Sequence, residues 1–247
     1  MDQLWHPLLT ENSNFSAWQQ SHWAVLLLMV LITTVALRCA VACNNHTKLI
    51  LGRAIALALA MTVIVWTALQ WHTGQFNAKT DLPLMPCNLL ALLAPLLLWW
   101  PNQARFNVYF FIVMAGTFQS FITPDLQQAF PHYTFFKYWL VHGGLVVLTL
   151  YLLLAFRLYP APRHIWHAFL YFNLYIAAMA VINFLFGTNL IYLAAKPEAP
   201  TVLNVLGPWP WYLLVAELLI IPAFALVYAP IYPFYRRQQQ QLSAAAG

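Results

Sequence analysis

A thiol, an imidazole and a carboxylate stand among the few polar side chains inside the apolar stretches of this 247-residue chain: Cys87, His142 and Glu217, accompanied by Asn88, Gln119 and Asn183. A polar group in hydrocarbon costs free energy unless it has a partner or a task. Together these residue types suit acyl transfer. A thiolate attacks an ester carbonyl to give a thioester. A histidine takes the thiol proton and later protonates the leaving alkoxide, while a carboxylate orients the imidazole. Cys87 follows Pro83 and Pro86. Proline is tolerated in a helix's first turn and disfavoured deeper, so a helix is predicted to open at one of these prolines with Cys87 in its first turn. Free N–H groups there, or the Asn88 amide, are the candidate oxyanion donors. Plainer readings compete. A membrane cysteine is usually a small apolar filler. His142 precedes Gly143 and Gly144, which allow close helix approach, and can simply bond a neighbouring carbonyl. Glu217 suits proton relay in a transporter, and Gln119 and Asn183 suit interhelical glue.

The elements that must position these groups follow from composition. The chain is 62% hydrophobic and only 7% charged, against roughly 25% charged in a soluble domain. The apolar runs are continuous rather than alternating, which excludes a β-barrel reading. The prediction is an all-α membrane protein, a seven-transmembrane helix bundle forming a single integral membrane domain over residues 1–247. Spans of ~20 apolar residues are placed near 22–42, 50–70, 83–100, 106–123, 136–157, 165–187 and 209–229. Trp23, Trp71, Trp99, Trp100, Tyr138, Trp209 and Trp211 suit interfacial belts at their ends. The connection 188–208, with Pro197, Pro200 and Pro208, is a candidate lid, and the Gln-rich tail after Pro233 is expected to fray.

Lys and Arg set the orientation. Arg38, Lys48, Arg53, Arg105, Arg157, Arg163, Arg236 and Arg237 fall on one side, and Lys79, Lys137 and Lys196 on the other. The excess predicts a cytoplasmic C-terminus and an outside N-terminus. At ~1.5 Å rise per residue, Cys87 and His142 then lie ~6–9 Å below the outer edge. Gln119 and Asn183 share that depth, and Glu217 lies ~12 Å deep.

Several other functions are set aside. The basic residues are scattered singly at segment ends, which speaks against nucleic acid. Three cysteines at unequal spacing give neither a disulfide framework nor a metal pattern. Asp2, Glu11 and the missing basic n-region argue against a signal peptide, and Arg38 argues against lipoprotein processing at Cys43. His164 and His167 read as an interfacial anchor rather than haem or metal ligands. No lysine lies within the seventh span for a retinal Schiff base. No cofactor and no metal are expected.

Five ordered motifs carry a resemblance. They are Leu82-Pro83-Leu84-Met85-Pro86-Cys87-Asn88-Leu89; Gly116-Thr117-Phe118-Gln119 with Ile122-Thr123-Pro124-Asp125-Leu126; Phe130-Pro131-His132 with Val141-His142-Gly143; Asn183, Gly187-Thr188-Asn189 and Lys196-Pro197; and Leu206-Gly207-Pro208-Trp209-Pro210-Trp211-Tyr212 with Glu217. Over about residues 80–230 the chain resembles the YwaF-like bacterial integral membrane proteins. Their eukaryotic relative is a multi-span acyltransferase that makes polyunsaturated ether phospholipids. The resemblance implies seven helices and carries a catalytic cysteine–histidine pair onto Cys87 and His142. Asn88 departs from it, standing where the eukaryotic proteins tend to carry histidine.

The expectation is therefore a membrane acyltransferase or lipid esterase. Cys87 is nucleophile, His142 general acid/base, and Glu217 or Asn183 the orienter. Asn88, Gln119, Asp125, Asn183 and Asn189 form the candidate substrate-binding set. The partner is a membrane lipid, a phospholipid or lysophospholipid entering from the outer leaflet, and the location is the cell membrane, a bacterial inner membrane, with multiple passes. The alternative is a non-enzymatic transporter or lipid-binding protein with a Glu217/His142 polar site.

Overall fold

The structure, a computed structural model, describes residue 8 and residues 15–100, 102–197 and 201–246. Asp2 and Glu11 of the N-terminal reading and Pro200 of the candidate lid lie outside the described residues. Among those described, five helices are long and apolar enough to cross a membrane: α1 (Gln20–Ala42), α2 (Asn45–His72), α6 (Tyr133–Ala155), α7 (His164–Phe186) and α8 (Trp211–Tyr228). Side chains cap the start of two of them. Asn44 accepts from the Thr47 N–H at 2.9 Å, and His132 accepts from the Thr134 N–H at 3.2 Å, each satisfying a donor that the helix itself leaves open.

Two of the predicted spans are interrupted. The stretch 83–100 becomes α3 (Pro86–Leu93) and α4 (Leu96–Trp99). Pro95 sits between them, lacks an N–H, and crowds the preceding turn, so the ladder breaks there. The stretch 106–123 becomes α5 (Gln103–Ile112), a π-helical turn (Val113–Thr117) and a 3-10 turn (Phe118–Phe121). Asn102 caps α5 through the Ala104 and Arg105 N–H groups. Beyond α8, the tail expected to fray is instead a helix, α9 (Tyr232–Ala246). Its Gln and Ala residues are good helix formers. Stacking of Phe234 on Tyr159, and a 3.1 Å bond from Gln238 Nε2 to the Arg157 carbonyl, hold it to the rest.

Helix α6 is the hub. It packs against α1, α2, α3 and the π-helical turn. Val141, Leu145, Leu148, Tyr151 and Leu152 on it are all essentially inaccessible, as expected for a helix apolar all round. Two glycines allow the close approach. A Cβ at Gly143 would meet Met29 Sδ at 2.3 Å, and one at Gly144 would meet Leu59 Cδ2 at 2.5 Å. Gly144→Val is therefore expected to cost about 1–3 kcal/mol by overpacking, seen as earlier thermal unfolding in detergent. An unchanged midpoint would mean that α2 yields there without cost. Outward, Phe184, Leu218 and Leu226 are three-quarters or more exposed. Apolar surface on this scale belongs in a lipid solvent.

Cross-ties hold the two ends of the bundle. At one end, Tyr151 donates to the Lys48 carbonyl at 2.8 Å and Tyr228 to the Pro160 carbonyl at 2.9 Å. At the other, Tyr138 donates to the Ser120 carbonyl at 3.2 Å, Tyr175 to the Leu84 carbonyl at 2.5 Å, and His22 Nε2 to the Phe121 carbonyl at 3.0 Å. The second end holds Cys87 and His142.

Candidate active site

Helix α3 opens at Pro86, so Cys87 occupies its first turn. Met85, the residue before it, makes no side-chain cap. The first backbone bond of this turn runs from the Leu89 N–H to the Met85 carbonyl at 2.9 Å. The N–H groups of Cys87 and Asn88 meet no acceptor among the described residues. They are the orphan donors of a helix start, which also carries the positive end of its dipole.

The thiol has two neighbours with chemistry. Its sulfur lies 3.7 Å from Thr117 Oγ1. The His142 imidazole lies near enough to couple to it electrostatically. His142 Nδ1 lies 2.8 Å from the Tyr138 carbonyl one turn earlier on α6. A carbonyl only accepts, so Nδ1 carries the proton and Nε2 keeps its lone pair. The imidazole also packs on the Tyr138 ring, centroids 4.1 Å apart. It is thus held by its own helix in the tautomer that a base requires. Lys137, over the Trp66 ring at 5.5 Å, adds a positive charge that reaches both Cys87 and His142. A thiol and two unpaired N–H donors share the start of α3, with the basic nitrogen of His142 on α6 nearby.

The other sequence-predicted residues are distributed differently. Glu217 is half-buried on α8, and among the described residues no hydrogen bond or ion pair links it to His142. The reason is architectural: α8 packs mainly against α5, α7 and the π-helical turn, whereas α6 packs mainly on α1, α2 and α3. The Tyr138 carbonyl, not a carboxylate, orients the imidazole. Gln119 is exposed. The π-helical and 3-10 turns shift the register so that Thr117 and Ser120 face inward in its place. Asn88 sits beside Cys87, half-buried, with no side-chain bond to a described residue.

Asp125, Asn183 and Asn189 hold the loop that follows α7. Asn183 Oδ1 accepts from Thr188 Oγ1 at 2.6 Å and from the Leu190 N–H at 2.8 Å, and its Nδ2 donates to the Leu190 carbonyl at 3.0 Å. Asn189 Oδ1 accepts from the Ala194 and Ala195 N–H groups at 2.9 and 3.1 Å. Asp125 accepts a short bond from the Tyr192 hydroxyl, and Tyr212 donates to the Tyr192 carbonyl. Burial, and then the Asp125 carboxylate beside it, hold the Tyr192 phenol well above its ordinary range, so it stays a donor. The Ile191 N–H reaches Met85 Sδ at 3.3 Å, so this strap touches the residue just before α3. Ile191 and Tyr192 take φ of 52° and 60°, a left-handed backbone costly for a β-branched side chain.

Thr117, Tyr138, Lys137 and Tyr192 were not singled out as site residues by the sequence. Thr117 carries a faint signal, a hydroxyl beside Gly116 in an apolar segment. Tyr138 carries another, four residues before His142 on one helix face. Thr117→Val keeps the shape and removes the hydroxyl. Alkylation of Cys87 by a membrane-permeant maleimide is expected to change in rate by about five-fold, the worth of one modest hydrogen bond. An unaltered rate would make Thr117 a bystander. Among the described residues no group of three or more His, Cys, Asp or Glu side chains is gathered to hold a metal ion.

Comparison with known proteins gives one match. A family model described as the TMEM164 family covers residues 16–228. No curated protein and no solved structure matches the chain.

Proposed function

We propose, for a chain that belongs to the TMEM164 family, that Cys87 and His142 form the reacting pair of a membrane acyltransferase or lipid esterase. What supports the reading is one arrangement: the Cys87 thiol lies in the first turn of α3 with free N–H groups beside it, and the nearby His142 imidazole has its Nδ1 committed to the Tyr138 carbonyl. His142 Nε2 takes the thiol proton as sulfur attacks the ester carbonyl carbon. The carbonyl oxygen becomes an oxyanion facing the Cys87 and Asn88 N–H groups. The C–O bond then breaks, and the leaving alkoxide receives the proton from His142. In the second half, an acceptor hydroxyl gives its proton to His142 and attacks the thioester. The C–S bond breaks, and the sulfur regains its proton. The acceptor is a lysophospholipid hydroxyl for transfer or water for hydrolysis. The thioester conserves the acyl bond energy, so no cofactor enters.

The same reading places the chain as a single domain with seven crossings, the two interrupted stretches each counting as one. The excess of Lys and Arg puts the C-terminus in the cytoplasm and the N-terminus outside. Cys87 then lies at shallow depth under the outer leaflet of a cell membrane, a bacterial inner membrane by the YwaF-like resemblance. An acyl ester lies at that depth, just below the headgroups. Glu217, without a partner in the reacting pair, has no step in this chemistry.

Incubation of the purified protein in vesicles with acyl-labelled phospholipid tests the reading. Label is expected to transfer to lysophospholipid, or to appear as free fatty acid. No turnover of any phospholipid in intact, folded protein would overturn it.

A further inference from the structure

A second polar site lies at the end of the bundle away from Cys87. There, the loop between α6 and α7, the start of α5 and the face of α9 line a partly open pocket of about 610 Å³. Its wall includes Asn107, Arg163, His164, Tyr235, Gln238 and Gln239. Asn107 is 1% exposed and His164 9%. Polar groups so deeply buried at the edge of a membrane domain must be satisfied.

They are satisfied in a directed chain. Gln103 Nε2 donates to Asn107 Oδ1 at 2.7 Å. That commits Asn107 Nδ2 as the donor in its 3.1 Å contact with His164 Nδ1. A ring nitrogen that accepts carries no proton, so the His164 hydrogen sits on Nε2. Nε2–H has no partner among the described residues, and His164 lines the pocket. The chain therefore ends in a hydrogen-bond donor offered to whatever fills the space. Arg163 stands beside it at the start of α7, where no side-chain cap is present. The Tyr235 hydroxyl and the Gln239 amide, also on the wall, meet no partner among the described residues. Of the described acidic residues, Asp81, Asp125 and Glu217, none lines the pocket. Among the described residues the guanidinium thus meets no counter-charge, and the site is rich in donors.

The geometry points to this pocket as a binding site for a phosphate-bearing anion, with Arg163 and the His164 Nε2–H on the phosphate oxygens and Tyr235 and Gln239 on the group it carries. A phosphate offers several acceptor oxygens at once, which suits a guanidinium fork with an imidazole donor beside it. Its source is either the headgroup of an anionic phospholipid or a soluble phosphate compound, and α9 forms the wall that either one would pass.

The test uses the delipidated full chain in detergent. Native mass spectrometry with added phosphatidylglycerol, and phosphatidylcholine as control, reads the lipid source. Thermal unfolding with added inorganic phosphate reads the soluble source. The variants are Arg163→Gln and Gln239→Leu, both at exposed positions where folding is secure. One saturable phosphatidylglycerol, weakened about tenfold by Arg163→Gln and less by Gln239→Leu, is expected if the ligand is a lipid. A phosphate-dependent rise in unfolding temperature that Arg163→Gln abolishes is expected if the ligand is soluble. Lipid retained equally by wild type and both variants would reveal ordinary annular lipid and overturn the site, as would no response to either probe.

Discussion

Cys87→Ala, returned to lipid vesicles, is expected to lose acyl turnover by at least ~10³-fold, since no other described group replaces the nucleophile. Its fold should survive. Cys87 is only partly buried and packs at the rim of the central apolar cluster, so removing one sulfur leaves little cavity. Cys87→Ser separates the nucleophile from its volume. A hydroxyl fills nearly the same space but is a much poorer nucleophile at neutral pH without further activation, so this variant should be almost as inert as alanine. Equal turnover by wild type and Cys87→Ala would remove the thioester from the reaction. Unfolding of Cys87→Ala would favour the plain packing role instead.

His142→Gln is expected to slow acylation by about 10²–10⁴-fold, the usual contribution of a positioned general base. The loss should depend on pH in a particular way. A free thiol ionises near pH 8.5, so at rising pH the variant gains thiolate without help and part of the rate returns. Recovery stays incomplete because the leaving alkoxide still lacks its proton donor. The wild type should show far less gain over the same range. Measurement of single-turnover acylation between pH 6 and 10 for both proteins distinguishes the cases. If the two profiles are parallel, His142 acts on structure alone. Its hold on α6 would then be the Tyr138 carbonyl contact and no more.

Much of the scaffold was legible because hydrocarbon solvent makes simple demands. Five long apolar runs became the five long helices, and the Pro83/Pro86 pair narrowed the start of α3 to two positions, of which the structure takes Pro86. Regular depth bookkeeping put Cys87 and His142 at one level, and the structure brings the two groups near enough to couple electrostatically. The same bookkeeping misled at Gln119. It assumed uniform α-helix, and one π-helical turn before that residue rotates Thr117 and Ser120 inward and Gln119 out. Glu217 shows a second limit. Depth is read along each helix, whereas adjacency depends on which helices touch, and α8 packs away from α6. Asn183 and Asn189 show a third. Short polar side chains bond nearby backbone as readily as a ligand, and here they shape the strap over Met85. Pro95 was visible in the sequence, yet a run of leucines around it reads as one span until the chain is folded.

The central claim is a covalent bond between a fatty acyl group and one sulfur. The direct measurement is tandem mass spectrometry of wild-type protein, acid-quenched during turnover of a defined phospholipid. The account predicts a fatty-acyl mass on the peptide that contains Cys87, removed by neutral hydroxylamine and absent from Cys87→Ala. Steady lipid turnover with no acyl mass on Cys87, or with the adduct on Cys39 or Cys43 instead, would contradict it.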